Sequence, residues 1–179
     1  MKLSSTKRII LAAACTALCV VLPMAFHSFP GGGNVFLPMH IPVLLCGMMC
    51  SWPYGLLCGL LGPALSSLLT SMPPAAFLPS MMVECATYGA VAGVMMCFVR
   101  TKKTYLDLYL SMITAMIAGR FVAGVVKSLI LAPGTPMFAW VTTSLVEGLP
   151  GIAIQLVLLP TLVYALMRAK LLPRRYDHE

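Results

Sequence analysis

The sequence predicts an all-α integral membrane protein, a single bundle of six transmembrane helices with both termini on the cytoplasmic side. Three observations predict it. Of the 179 residues, 60% are hydrophobic and only 9% are charged, where a soluble domain carries about a quarter charged residues. Mean hydropathy is +0.94, so lipid must be the solvent for most of the surface. Ten of the twelve Lys and Arg fall in three clusters that flank apolar stretches. These are Lys2, Lys7 and Arg8; Arg100, Lys102 and Lys103; and Arg168, Lys170, Arg174 and Arg175.

A spanning helix takes roughly 20 apolar residues, so a chain of this length holds few more than six, with short loops. Residues 1–179 therefore read as one transmembrane domain. The first span covers about residues 8–26. Its basic start and apolar middle resemble a secretory signal, but no small-residue cleavage site follows, so the helix is expected to be retained. Residues 27–36, with Gly31, Gly32 and Gly33, read as a loop. The second apolar segment, 37–50, contains Pro38 and Pro42; it is short for a full crossing and is expected to begin as an irregular or re-entrant piece.

Ser51-Trp52-Pro53 makes a tight turn into the third span, 54–71, which Pro63 is expected to kink. An uncharged loop, 72–76, leads to the fourth span, 78–99, and a basic turn follows at 100–103. The fifth span covers 105–131 and the loop 132–136 follows it. The sixth covers 137–167, long enough to tilt or to break near Pro150-Gly151 or Pro160. A polar tail closes the chain. With the N-terminus inside, every clustered basic residue is cytoplasmic and the outer loops hold no Lys or Arg, as the positive-inside rule requires. The net charge of +7 thus marks a rim against membrane lipid, not a nucleic-acid surface.

Seven cysteines all lie in apolar stretches, with Cys15 and Cys19, and Cys46 and Cys50, four residues apart. A soft-metal site with Met48 and Met49 is one reading. Packing by small polarisable residues is the ordinary one, and no disulfide framework or metal site is expected.

Charges inside hydrocarbon cost at least about 2.5 kcal/mol each, which makes them functional candidates. Glu84, Arg120, Lys127 and Glu147 qualify, whereas Asp107 lies near the cytoplasmic end of its span, within reach of water. At about 1.5 Å per residue, Glu84 lies some two turns from the outer end of its span and Lys127 near the outer end of the next. Arg120 lies deeper on the same face as Lys127, and Glu147 on the order of 14 Å below the outer start of the sixth span. Two readings stand side by side: the two acids and two bases neutralise one another, or they line a pocket open to the outside. An Arg and a Lys on one face suit a ligand carboxylate or phosphate.

Asn34, His40, Tyr88, Trp140, Thr143 and Gln155 could line the same space. His40 is equally a packing histidine, and Trp140 an interfacial anchor. The sequence carries no nucleophile elbow, metalloprotease helix or phosphate-cradling loop. It is therefore not expected to be an enzyme, to hydrolyse ATP or to hold a cofactor. Ala13 and Ala17 form a small-xxx-small step on the first span, suited to close approach of another helix, within the bundle or in a partner.

The motif Leu37-Pro38-Met39-His40-Ile41-Pro42-Val43-Leu44-Leu45-Cys46-Gly47 follows the glycine-rich loop. With Trp52-Pro53-Tyr54-Gly55, Met72-Pro73-Pro74, the stretch from Glu84 to Gly89, Ala118-Gly119-Arg120 and Glu147-Gly148-Leu149-Pro150-Gly151, it covers nearly the whole chain. In these motifs the sequence resembles the substrate-binding S components of energy-coupling factor (ECF) vitamin transporters. The resemblance implies a high-affinity binding subunit in the bacterial cytoplasmic membrane with a solute pocket near its outer face. Such a subunit docks on a transmembrane coupling protein and two cytoplasmic ATPases, which supply the ATP hydrolysis, and it delivers its ligand by toppling in the membrane. The docking step of the family maps onto Ala13 and Ala17. Pantothenate, a carboxylate, is the leading substrate; cobalamin, a hydroxymethylpyrimidine and a queuosine precursor stay open. A self-sufficient secondary transporter of a small anionic solute is the alternative, and a metal-handling membrane protein the third reading.

Overall fold

The computed structural model describes residues 3–25, 32–134, 136–173 and 175–176, with backbone alone at Gly32 and Asn34. The first part of the predicted outer loop, together with Lys2, Arg174 and the last three residues, lies outside the described residues. Apolar runs of 18 residues or more can satisfy their backbone in lipid only as helices or closed barrels, and here every regular element among the described residues is helical. In order these are α1 (Ser5–Ala25), α2 (Gly32–Phe36), α3 (His40–Cys50), α4 (Trp52–Thr70), α5 (Leu78–Phe98), α6 (Thr104–Val126), α7 (Met137–Glu147) and α8 (Leu149–Arg168). A π-helical turn, Lys127–Leu131, extends α6.

Among the described residues five helices are long and apolar enough to cross a membrane: α1, α4, α5, α6 with its π turn, and α8. The second predicted span is the short α3, whose 11 residues rise about 16 Å, against a hydrocarbon core of about 30 Å. It is nevertheless the centre of the bundle, with every residue from Pro42 to Cys50 buried, as an all-round apolar helix must be. Ser51, at φ 91°, turns the chain out of α3 into α4.

One expectation needs correction: the loop expected at 27–36 holds a helical turn, α2, in its second half. The sixth span takes the break expected near Pro150-Gly151, at Gly148, because Pro150 lacks an N–H and its ring clashes with the carbonyl four residues back. Proline is tolerated in the first turn of α8, so the helix restarts there. The crossing is α8 alone, and Glu147 ends the separate α7, which buries no residue.

Glycine sets how closely the central helices approach. A Cβ on Gly47 or on Gly55 would overlap the carbonyl of Gly89, and one on Gly89 would overlap that of Gly55. Backbones of α3, α4 and α5 therefore touch at one point, the close packing that substitutes for a hydrophobic drive between helices in lipid. Along the same seam Gly59 lies on the backbone of Cys85, and Gly93 on that of Trp52. Six of the seven cysteines are buried in the same packing, with the Cys19 and Cys58 thiols 4.0 Å apart. By contrast α1 is peripheral, burying only Cys15, Cys19 and Pro23.

At the other end of the bundle the tail folds back. Asp107 is fully buried, not within reach of water as its position suggested. It accepts hydrogen bonds from the Thr101 backbone at 2.8 Å and hydroxyl at 2.7 Å. Arg175 Nε and the Tyr176 hydroxyl, both at 2.5 Å, come from the tail, and Arg175 also donates to the Val99 carbonyl. These short-range partners neutralise a carboxylate that the hydropathy of its span gave no reason to bury.

Gly89→Ala should lower unfolding free energy by about 3 kcal/mol, the upper range for overpacking, read as a fall in apparent Tm in detergent. Gly33→Ala, with nothing within 4 Å of its Cβ position, should move it little.

Candidate solute-binding cavity

Near one end of the bundle, α3, α5, α6 and α7 part around a cavity of about 510 Å³, within the usual range for small-molecule sites. His40 opens α3 onto it, Glu84 faces it from α5, Arg120 and Lys127 from α6 and its π turn, and Trp140, Thr143 and Glu147 from α7. Seven residues singled out in the sequence thus line one space. Sequence reasoning missed part of the wall: Met72, Pro73, Pro74, Phe77 and Ser144. The uncharged, proline-rich 72–76 loop was a signal of rigidity and not of polarity.

The polar floor centres on Glu84, which is 9% exposed. Its Oε1 accepts a hydrogen bond from the Tyr88 hydroxyl at 2.9 Å. His40 Nε2 lies 3.6 Å from the same oxygen and Arg120 Nε 3.9 Å, both beyond a good hydrogen bond. Tyr88 does not line the cavity. It is buried beneath Glu84, one helical turn along the same face, with its ring 5.0 Å from that of His40. Gly119 allows this, because a Cβ there would overlap the Tyr88 ring.

Arg120 is 3% exposed, and His40 1%. Arg120 Nε and Nη2 and both ring nitrogens of His40 have no hydrogen-bond partner among the described residues. Buried polar atoms are nearly always satisfied, so these four nitrogens make Arg120 and His40 the candidates for contact with a polar guest.

Lys127 is held differently. Its ammonium stands 4.9 Å from the centre of the Trp140 ring and 5.7 Å from that of Phe77, cation–π contacts that tie α6 to α7 and to the 72–77 segment. Trp140 therefore has a partner inside the protein beyond the anchoring role its sequence position allowed. Glu147, the last residue of α7, lines the cavity and is exposed. Gln155 is buried and donates to the Leu37 carbonyl at 3.3 Å, supporting the wall from behind. Asn34 stands in α2, and its side chain is outside the described residues. No group of three His, Cys, Asp or Glu among the described residues is placed to hold a metal ion.

On the periphery, Ala13 and Ala17 are exposed on α1. They line an apolar groove of about 710 Å³ that runs between α1 and α4, with Thr16, Leu57 and Leu61 among its walls.

The fold and the cavity define the class: a multi-pass helical membrane protein that encloses a charged, solute-sized space. The family model described as ECF transporter, substrate-specific component, matches residues 7–163, and the chain belongs to that family. No match was found among curated proteins or among solved structures.

Tyr88→Phe removes the one hydrogen bond of normal length to Glu84 among the described residues. Stability should fall by about 1–3 kcal/mol, the cost of an unsatisfied buried acceptor, with a matching drop in apparent Tm.

Proposed function

We propose that the chain captures a small carboxylated solute from outside the cell in the cavity between α3, α5, α6 and α7, with pantothenate the leading substrate. The observation that carries this reading is the set of unsatisfied, buried nitrogens of Arg120 and His40 on a cavity of about 510 Å³ in a member of this family. Glu84, buttressed by Tyr88, holds Arg120 and His40 at the floor; Lys127 and Trp140 close the side; Glu147 contributes at the rim. Asn34, on α2, is the remaining proposed contact.

Transport then needs partners. The loaded subunit docks on a transmembrane coupling protein through the face of α1 that carries Ala13 and Ala17, and two cytoplasmic ATPases on that protein hydrolyse the ATP. Both termini lie in the cytoplasm of a bacterial cell, the basic rim resting against the inner leaflet, and the loaded bundle topples to release its solute inside. The exposed α1–α4 groove supports a docking role for that face, since small residues let a partner helix approach closely.

The purified chain alone, in mild detergent, should gain thermal stability from one member of a vitamin panel. Ligand at a hundredfold its Kd stabilises by about 2.7 kcal/mol. Silence across the panel from folded protein would turn the reading toward a secondary transporter. Arg120→Ala should weaken the hit at least tenfold, about 1.4 kcal/mol; unchanged affinity with normal expression would make Arg120 structural. Ala13→Trp should leave binding intact and abolish uptake in cells carrying the complete transporter, and normal uptake would remove docking from that face.

A further inference from the structure

We infer that capture is proton-linked: as an anionic solute enters the cavity, His40 takes up a proton and stands as an imidazolium between Glu84 and the solute. The inference rests on the reading of the cavity as the solute site and adds what that site exchanges with water as it fills.

Among the described residues the charges facing the cavity come from three elements. Glu84 faces it from α5, Arg120 and Lys127 from α6 and its π turn, and Glu147 from α7, while α3 supplies His40 and α1 only Pro23. With an uncharged imidazole the two acids match the two bases, and the empty cavity is neutral. In the buried floor the match is between Glu84 and Arg120, whose Nε lies 3.9 Å from Oε1. The Lys127 ammonium stands over the Trp140 and Phe77 rings, and Glu147 is exposed to solvent. A carboxylate entering the floor therefore brings one unmatched negative charge into a space where an ion stripped of water is costly.

His40 is the group at the floor able to answer with a proton near neutral pH, because imidazole changes charge in that range. Arg120 and Lys127 hold their protons already. Tyr88, beneath the floor, gives its hydroxyl hydrogen to Glu84, and a proton on Glu84 would cancel the charge that faces Arg120. The geometry favours the same group. His40 Nε2 is 3.6 Å from Glu84 Oε1, and both ring nitrogens are buried with no hydrogen-bond partner among the described residues. A neutral imidazole has one N–H and one lone pair. With its N–H toward Glu84, it would offer a solute carboxylate only the lone pair, which repels it. The imidazolium donates from both nitrogens, one to Glu84 and one to the solute. The Tyr88 ring, 5.0 Å from that of His40, adds an aromatic neighbour that a cation favours.

The sign of the pH dependence follows from linkage. A site that gains a proton on binding loses affinity as pH rises, by up to about tenfold per unit for one proton. At acid pH, where the imidazole is charged before the solute arrives, the dependence vanishes. An acidic exterior thus favours capture, and a less acidic interior favours release.

The test uses the full-length chain in detergent, with pantothenate, nicotinate and biotin as probes and panthenol, nicotinamide and biotinamide as neutral controls. Calorimetry in phosphate and in Tris, whose heats of ionisation differ, counts the protons exchanged at about pH 7.5, above the ordinary imidazole value. At least one acid should bind with uptake of about half a proton or more, and its Kd should rise between about pH 6.5 and 8.5. The carboxyl groups of the probes stay ionised across that range. His40→Gln should abolish the uptake and flatten the pH dependence. The double variant His27→Gln/His178→Gln leaves His40 as the one histidine of the chain, and carbon-13 NMR of its ring should show it becoming charged when the acid is added. An acid that binds without proton uptake overturns the linkage while leaving solute capture standing. So does uptake that persists in His40→Gln, or a hit confined to the neutral controls. Silence from every probe and control, with the wild-type chain folded, counts against capture itself and removes the linkage with it. Should His40→Gln fail to fold or to bind, the ring signal of the single-histidine variant decides.

Discussion

The contact among Gly47, Gly55 and Gly89 is the constraint on which the rest of the structure depends. Lipid gives no hydrophobic reward for pressing one apolar helix on another, so association rests on van der Waals contact at close range. Three backbones meet where any Cβ would collide with a carbonyl, and that fixes α3, α4 and α5 in relative height and rotation. His40 begins α3, seven residues before Gly47, and Glu84 and Tyr88 lie on α5 just ahead of Gly89. Their meeting at the cavity floor follows from the glycine seam more than from their own attraction. Gly119 repeats the device on α6, admitting the Tyr88 ring beside Arg120.

Two buried carboxylates are held in different ways. Asp107 accepts from two groups of Thr101 and from Arg175 and Tyr176, all at hydrogen-bonding distance. These four donors, one of them a cation, offset the cost of removing water from it. Among the described residues Glu84 has one such donor, with its two basic neighbours at 3.6 and 3.9 Å. A network left partly satisfied is costly in a low-dielectric interior. The contrast supports the proposed pocket reading: Asp107 and Arg175 close up, whereas Glu84 leaves its basic neighbours at a distance.

The spans were legible because hydropathy and the basic clusters are properties of composition along the chain. Glu84, Arg120 and Lys127 were legible for the same reason, standing out against apolar neighbours. The central place of α3 was not, since a helix apolar on all sides carries no periodic mark of which partner it meets. That the helix stops at Gly148 was legible only in part, since Pro150 and Pro160 both offered a break and α8 runs through Pro160. Tyr88 sits four residues after Glu84, so their shared face was visible, but its role as a support needed the contact with Gly119. The Asp107 clasp and the Gln155 bond to Leu37 join residues 68 and 118 positions apart, beyond the reach of any local pattern.

The division of labour among the helices bears on how capture and docking could coexist in so small a protein. The cavity draws its polar lining from α3, α5, α6 and α7, while α1 contributes only Pro23. The groove that carries Ala13 and Ala17 draws on α1 and α4 and on none of the charged residues. Between the two lies α3, buried on all sides and pinned by the glycine seam. A partner helix entering the groove would therefore act on the cavity through α4 and α3, along the one contact in the bundle with least room to yield. Close-packed interiors transmit displacement instead of absorbing it. On the proposed reading, rigidity at that seam would let one domain hold a solute at one end while presenting a separate face to a partner.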